Sequence, residues 1–330
     1  MKLADTTISV ISGGVGAARL LRGLIDVATP SRISAIVNVA DDTVLHGLSI
    51  SPDIDTVTYT LADAIDPERG WGLRNETWTA MSALERYGER NWFSLGDQDL
   101  ATHMERTARL NEGATLTEVT AEIAKAWGVT TSILPVSNDR ISTMVTRADT
   151  GAEIPFQQYF VGLQHDVAVS AVRFDNIEHS TATPQATAAI RDADIVIIAP
   201  SNPVVSIDPV LSVPGIRDAL DQRRGRCVAI SPIIGGAALK GPAADLLTQL
   251  GHRADVIGVA ELWREFTDVL LIDDVDAPHA QDVASIGITP YVTDTIMADP
   301  QRRAKLARAA CSAAGVQPSS PHPTSRRQPE

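Results

Sequence analysis

Cysteine is nearly absent. In 330 residues only Cys227 and Cys311 occur, too few and too far apart for a disulfide framework or a thiolate zinc site. Any metal chemistry must therefore use oxygen ligands. Long apolar runs are missing as well: no stretch of about 18 apolar residues occurs, and Met1-Lys2 passes through Asp5-Thr6-Thr7 straight into a short apolar segment with no signal-peptide pattern. A cytoplasmic protein with no membrane partner is expected. Positive charge is also scarce: 28 Lys and Arg against 41 Asp and Glu leave a net charge of −13, which opposes binding to nucleic acid. Small anions remain admissible, because backbone N–H groups in a loop bind phosphate on an acidic protein, the more so beside a divalent cation.

What is present is an alternation of short apolar strands and helical stretches. Thr7-Ile8-Ser9-Val10-Ile11 reads as a buried strand, Ser12-Gly13-Gly14-Val15-Gly16 as a Gly-rich loop, and 17–27 as a helix with Leu20, Leu21, Leu24 and Ile25 on one side. A second strand at 33–39 completes β-α-β, which implies a parallel sheet. Helical patterns follow at 54–65, 76–87, 100–110 and 116–127, then strands at 141–145 and 153–161 around the Asp149-Thr150-Gly151 turn. Further strands are expected at 194–199, 227–231, 269–272 and 286–291, and helices at 215–220, 243–250 and 300–314. The fold class is α/β: a Rossmann-like, mostly parallel sheet flanked by helices, one domain over 1–314 with a mostly helical insertion at about 53–130. Residues 315–330, rich in Pro, Ser, Gln and Arg, read as a disordered tail.

Three strands end in loops of small or polar residues: Ser12 to Gly16, Pro200-Ser201-Asn202-Pro203, and Ser231-Pro232-Ile233-Ile234-Gly235-Gly236. Strand C-termini share one edge of a parallel sheet, where open α/β folds bind ligands. Taken singly, each loop is equally compatible with a tight turn or a helix cap. No Lys-Ser/Thr follows the glycines as a P-loop requires, and neither the dinucleotide fingerprint nor an acid at the end of the second strand is present, since Asn38 stands there. Carboxylates gather in three polar turns: Asp41-Asp42, Asp53 and Asp55, and Asp97 and Asp99. Carboxylates at helix starts are ordinarily caps, but six of them suit Mg²⁺, which bridges one or two carboxylates and substrate phosphates. His46 and His103 show no zinc-ligand spacing and receive no catalytic assignment.

The stretches Ser12-Gly-Gly-Val-Gly16, Val37-Asn-Val-Ala-Asp-Asp42, His46-Gly-Leu-Ser-Ile-Ser-Pro-Asp-Ile-Asp-Thr-Val57, Gly70-Trp-Gly72, Leu95-Gly-Asp-Gln-Asp-Leu-Ala-Thr-His103, Pro200-Ser-Asn-Pro-Val-Val-Ser-Ile207 and Ser231-Pro-Ile-Ile-Gly235 occur in this order. Together they resemble the 2-phospho-L-lactate transferase family of coenzyme F420 biosynthesis, to about residue 314. The resemblance implies a homodimer that uses Mg²⁺ and moves a phospho-lactyl or phospho-enolpyruvyl group from a guanylyl donor to the ribityl hydroxyl of the deazaflavin Fo, with GMP leaving. It also implies that Gly13, Gly14, Val15 and Gly16 lie near the donor phosphates and that Asn38, Asp41, Ser201 and Asn202 surround the donor. Asp55 and Asp53 are the expected catalytic carboxylates, and Asp41, Asp42 and Asp55 the expected metal ligands. Asp55 would stand near the acceptor hydroxyl. Ser94 and Asp97 are expected at the acceptor, although Ser94 replaces a basic residue found in some archaeal relatives and Asp97, like Asp99, also fits a cap of the helix at Leu100. Trp71, Trp92 and Phe93 are candidates to border the flat ring. The Gly13 and Ser201 stretches look closer to actinobacterial members, which favours an enolpyruvyl donor. A competing expectation is a non-catalytic regulator of the same fold that binds nucleotide sugars.

Overall fold

A computed structural model describes residues 3–88, 92–238 and 241–316. Seven parallel strands form the central sheet: β1 (Ile8–Ser12), β2 (Ile33–Val37), β3 (Ser132–Pro135), β4 (Ile195–Ile198), β5 (Arg226–Ile230), β6 (Val269–Ile272) and β7 (Thr289–Val292). Their order across the sheet is β7-β6-β5-β4-β1-β2-β3, so the winding reverses between β1 and β4. Central strands such as Ile-Val-Ile-Ile in β4 and Val-Leu-Leu-Ile in β6 are buried along their whole length. Helices cover both faces of such strands, and this is why they read as continuous apolar runs. The two edge strands carry Pro135 and Pro290, which a ladder accepts only at its margin.

Helix α1 (Gly14–Ile25) buries Ala17, Ala18, Leu20, Leu21 and Leu24 and packs against α2 (Pro52–Leu61) and the last helix, Pro300–Ala313. Between β2 and β3 the chain forms a small hairpin, Thr43–Leu45 with Leu48–Ile50, whose turn places His46 and Gly47 at φ 53° and 78°. It continues through α2, α3 (Thr79–Leu84), α4 (Asp99–Asn111) and α5 (Leu116–Ala126). A second antiparallel sheet has Ser142–Arg147 flanked by Glu153–Pro155 and Val169–Asp175.

Several boundaries differ from the sequence reading. The strand expected over 153–161 stops at Pro155 and gives way to a π-helical turn, Gln158–Gly162. Phe156 and Tyr159, three residues apart, both bury in a satellite core with Val205 and Leu246, a spacing that a strand cannot provide. β7 begins at Thr289 rather than 286, because Gly287 at φ 101° ends the helix Ala280–Ser285. The strands β3 and Val169–Asp175 and the helices Pro184–Asp192 and Val256–Trp263 are additions to that reading. Of the expected tail 315–330, residues 317–330 lie outside the described residues. No helix among the described residues is long and apolar enough to cross a membrane.

Candidate functional site

The winding reverses between β1 and β4, and the C-terminal ends of the strands at such a reversal are the usual ligand position in this class of sheet. The loops after β1, β2 and β4 meet there. Gly13 caps α1 in an extended conformation without any side-chain cap, and Gly14 takes φ 65°. The first N–H groups of α1 therefore have no partner within the helix, and they carry its positive dipole end. Close packing accounts for the flanking glycines: a Cβ on Gly13 would lie 2.7 Å from Ser206 Cβ, and one on Gly16 would lie 2.2 Å from the Pro200 carbonyl oxygen. Ser201 Oγ donates to the Gly13 carbonyl and locks the two loops together. Asn202 Oδ1 accepts from the N–H groups of Val204 and Val205 at 2.9 and 3.4 Å, capping a π-helical turn, Pro203–Ile207. Its amide NH₂ is what remains to face a ligand. The third expected loop is more self-sufficient, since Gly235 N–H donates to the buried Asp276 carboxylate at 3.0 and 3.2 Å. Asp276 carried no signal in the sequence beyond its position after β6.

Helix α2 brings in the acidic residues. Asp53 and Asp55 both lie in its first turn and are both buried, yet two helical residues stand roughly 200° apart. They face different neighbours. Asn38, fully buried, donates through Nδ2 to Asp53 Oδ2 at 3.0 Å and accepts the Ala40 N–H on Oδ1 at 2.9 Å. Asp53 also reaches the start of α1, where a Cβ on Gly14 would stand 3.4 Å from its Oδ1. Burial pushes the Asp53 carboxyl up to about 6 against the hydrogen bonds from Asn38 and Gly14. Burial and the neighbouring Asp53 charge push Asp41 well above the usual carboxylate range. Asp42 receives Ser51 Oγ–H at 2.7 Å, keeps an enclosed Oδ1 without a partner, and is driven by burial to about 8.

Asp55 faces α4 instead. Both of its oxygens receive the Arg106 guanidinium, Nη1 to Oδ2 at 3.1 Å and Nη2 to Oδ1. Burial raises the Asp55 carboxyl, and Arg106 and His103 oppose the rise. His103 lies between two carboxylates, with Nδ1 3.7 Å from Asp55 Oδ2 and Nε2 3.3 Å from Asp99 Oδ2. Tyr59 OH donates to Asp99 Oδ1 at 2.6 Å. The ligand atoms of Asp55, Asp99 and His103 lie within 4.8 Å of one another, so this group could hold a metal ion. In the present arrangement Arg106 supplies the positive charge. Arg106 belongs to no motif of the sequence and His103 receives no catalytic assignment there; both occupy the buried face of α4, where apolar residues are expected.

The remaining expected residues lie further from α2's carboxylates in role. Asp97 accepts from Thr79 N–H at 3.0 Å and Ala80 N–H at 2.9 Å, so it caps α3 rather than the helix at Leu100, and these bonds together with Thr77 pull it down to about 2. Ser94 is exposed in the loop before α4. Arg69 stacks over Trp71 and Trp78 at 5.4 and 4.7 Å from their ring centroids, and Trp92 meets Phe93 edge-on at 5.8 Å.

This edge of the sheet thus combines a helix start without an N-cap side chain and buried carboxylates, a combination suited to phosphate chemistry. The profile of the family described as 2-phospho-L-lactate transferase CofD matches residues 8–310. A phosphoenolpyruvate transferase of Mycobacterium tuberculosis (strain ATCC 25618 / H37Rv) is 40% identical over 330 residues, covering 94% of this chain and 99% of the relative. One of Mycobacterium ulcerans (strain Agy99) is 41% identical over 328 residues, with the same coverage. Among solved structures, a UPF0052-family protein from Bacillus halodurans superposes with a TM-score of 0.63 at 20% identity, over 92% of this chain and 98% of that one, a likeness of fold. The whole-length profile match and the 40% identity place the chain in the 2-phospho-L-lactate transferase family.

Proposed function

We propose that this transferase moves a phospho-enolpyruvyl group from an enolpyruvyl-diphospho-guanosine donor to the terminal ribityl hydroxyl of Fo, releasing GMP and giving dehydro coenzyme F420-0. One observation carries the reading. The start of α1, whose N-cap Gly13 has no side chain to offer, lies against the buried Asp53 carboxylate, which neighbours the buried Asp41, and among the described residues no basic side chain ion-pairs with either. Helix dipole and N–H groups there favour a phosphate, whereas the carboxylates alone would repel it. A divalent cation held by the carboxylates would resolve the conflict.

The donor set fits Mg²⁺, a hard cation that takes carboxylate oxygens. Asp41 and Asp53 would hold it, and when bound it would neutralise charge on the phosphates. Asp42 sits beside this pair. Asp55, whose oxygens are taken by Arg106, serves the acceptor instead of the cation in this proposal. Val15 and Gly16 N–H groups and the Asn202 amide NH₂ orient the donor, and Asn38 fixes Asp53. The acceptor oxygen attacks the phosphorus bearing enolpyruvate, the bond from that phosphorus to the GMP oxygen breaks, and the hydroxyl proton is lost to solvent as the diester forms. Each carboxylate oxygen has two acceptor sites, so Asp55 can accept the acceptor's O–H while Arg106 holds its charge. The actinobacterial relatives named phosphoenolpyruvate transferase support the enolpyruvyl donor over the lactyl one.

Mass spectrometry of the purified protein with Fo, Mg²⁺ and each donor tests this. GMP release coupled to a phospho-enolpyruvyl adduct of Fo is expected. A phospho-lactyl adduct alone would reverse the donor, and no adduct from either donor would sink the transfer reading.

A further inference from the structure

Among the described residues Arg106 is the one fully buried Arg or Lys, in a site built from buried carboxylates. Its place is fixed from several directions. The Nη atoms reach both Asp55 oxygens, the Ser49 carbonyl at 3.3 Å and His103 Nδ1 at 3.2 Å. Arginine has donors only, so His103 Nδ1 is the acceptor in this contact, and its Nε2 lies 3.3 Å from Asp99 Oδ2. Asp99 is held in turn by Tyr59, one turn beyond Asp55 on α2. Contacts thus run from α2 through α4 and back, with His103 Nε2 beside Asp99 but without a hydrogen bond of its own.

We propose that Arg106 is a positioning residue for group transfer, acting through Asp55; the inference rests on the transfer reading above. A guanidinium fork fixes both oxygens of a carboxylate in one plane, whereas an ammonium or a hydrated cation holds only a point. Asp55 on α2 is thereby kept in one rotamer and one orientation for the acceptor hydroxyl. Arg106 itself touches no reacting atom. His103 and Asp99 brace it from within α4, and the Ser49 carbonyl ties it to the strand that leads into α2.

Arg106→Lys, Arg106→Gln and the double variant Asp55→Asn/Arg106→Gln test this, with kcat, KM for each substrate and Tm measured on each. Arg106→Lys is expected to fold and to keep the donor KM, yet to lose at least about tenfold in kcat; Arg106→Gln should lose about a hundredfold, the scale of a misplaced reacting group. The double variant removes both charges together and should recover the Tm that Arg106→Gln loses without recovering kcat. A kcat within threefold of wild type in either folded single variant, or recovery of kcat along with Tm in the double variant, would show a purely structural ion pair. If Arg106→Gln does not fold, the other two variants decide. An inactive wild type would sink the transfer reading and this inference with it; an active wild type with active variants would sink this inference alone.

Discussion

The two sides of α2 treat identical side chains in opposite ways. Asp55 meets a buried cation that the chain supplies, so its charge is balanced within the protein. Asp53, two residues earlier, meets an amide, a backbone N–H and another carboxylate. Among the described residues no basic side chain ion-pairs with Asp53 or Asp41, and burial shifts both carboxyls toward the protonated form. The comparison separates a carboxylate oriented by the chain's own guanidinium from one held without it, within a single turn of helix.

The sharpest way to break it is to neutralise each side in turn. Asp53→Asn is expected to lower transfer by about 10²–10³, the range found when a single electrostatic contact to a reacting group is removed. The amide oxygen still accepts from Asn38, so the fold should survive with Tm unchanged or raised. Asp55→Asn strands Arg106 in the interior and should cost about 3–5 kcal/mol of stability. Urea denaturation and GMP release, measured on both variants, check the contrast; equal stability losses would erase it.

A second test uses pH. Asp53 and Asp42 have folded-state values raised to about 6 and about 8, above the value of about 3.9 for an unfolded Asp. The stability they contribute is fully present below about pH 4 and is lost as pH rises through their folded values. In EDTA, Tm should therefore decline from about pH 5 to about pH 8, and turnover should be absent. Added Mg²⁺ should raise Tm more at the upper end, where no proton competes for the carboxylates. A flat Tm profile in EDTA would mean that the chain already neutralises the cluster.

Much of this was legible in the sequence, for reasons that differ between residues. Strands β1, β4 and β6 are apolar runs, since both faces are covered, and Gly13 to Gly16 announce a close turn. The edge elements escaped notice: β3 is a four-residue strand ending in proline, and Val169–Asp175 is largely exposed, so its alternation is weak. Asp41, Asp53 and Asp55 were visible as motifs, but their partners were not. Arg106 is 51 residues from Asp55, and only the packing of α4 on α2 and its preceding hairpin brings them together. The opposed directions of Asp53 and Asp55 follow from the helical period once α2 is known to begin at Pro52. Asp97's capping of α3 could not be read locally, because its acceptor bonds reach back 17 and 18 residues.

The smallest expected effect belongs to Asp42, which stands between the two sides. It feels Arg106 and Asp55 as well as Asp53, and its enclosed Oδ1 has no partner. If Asp41 and Asp53 suffice for the cation, as two carboxylates do in many Mg²⁺ sites, then Asp42→Asn should leave transfer within about threefold of wild type. Tm at pH 8 should not fall, because the change removes an enclosed charge while Ser51 retains an oxygen to donate to. Half-saturating Mg²⁺, read from GMP release, should stay near the wild-type value. A loss comparable to that of Asp53→Asn, accompanied by a higher Mg²⁺ requirement, would make Asp42 a third ligand and move the boundary between the two sides of α2 toward Arg106.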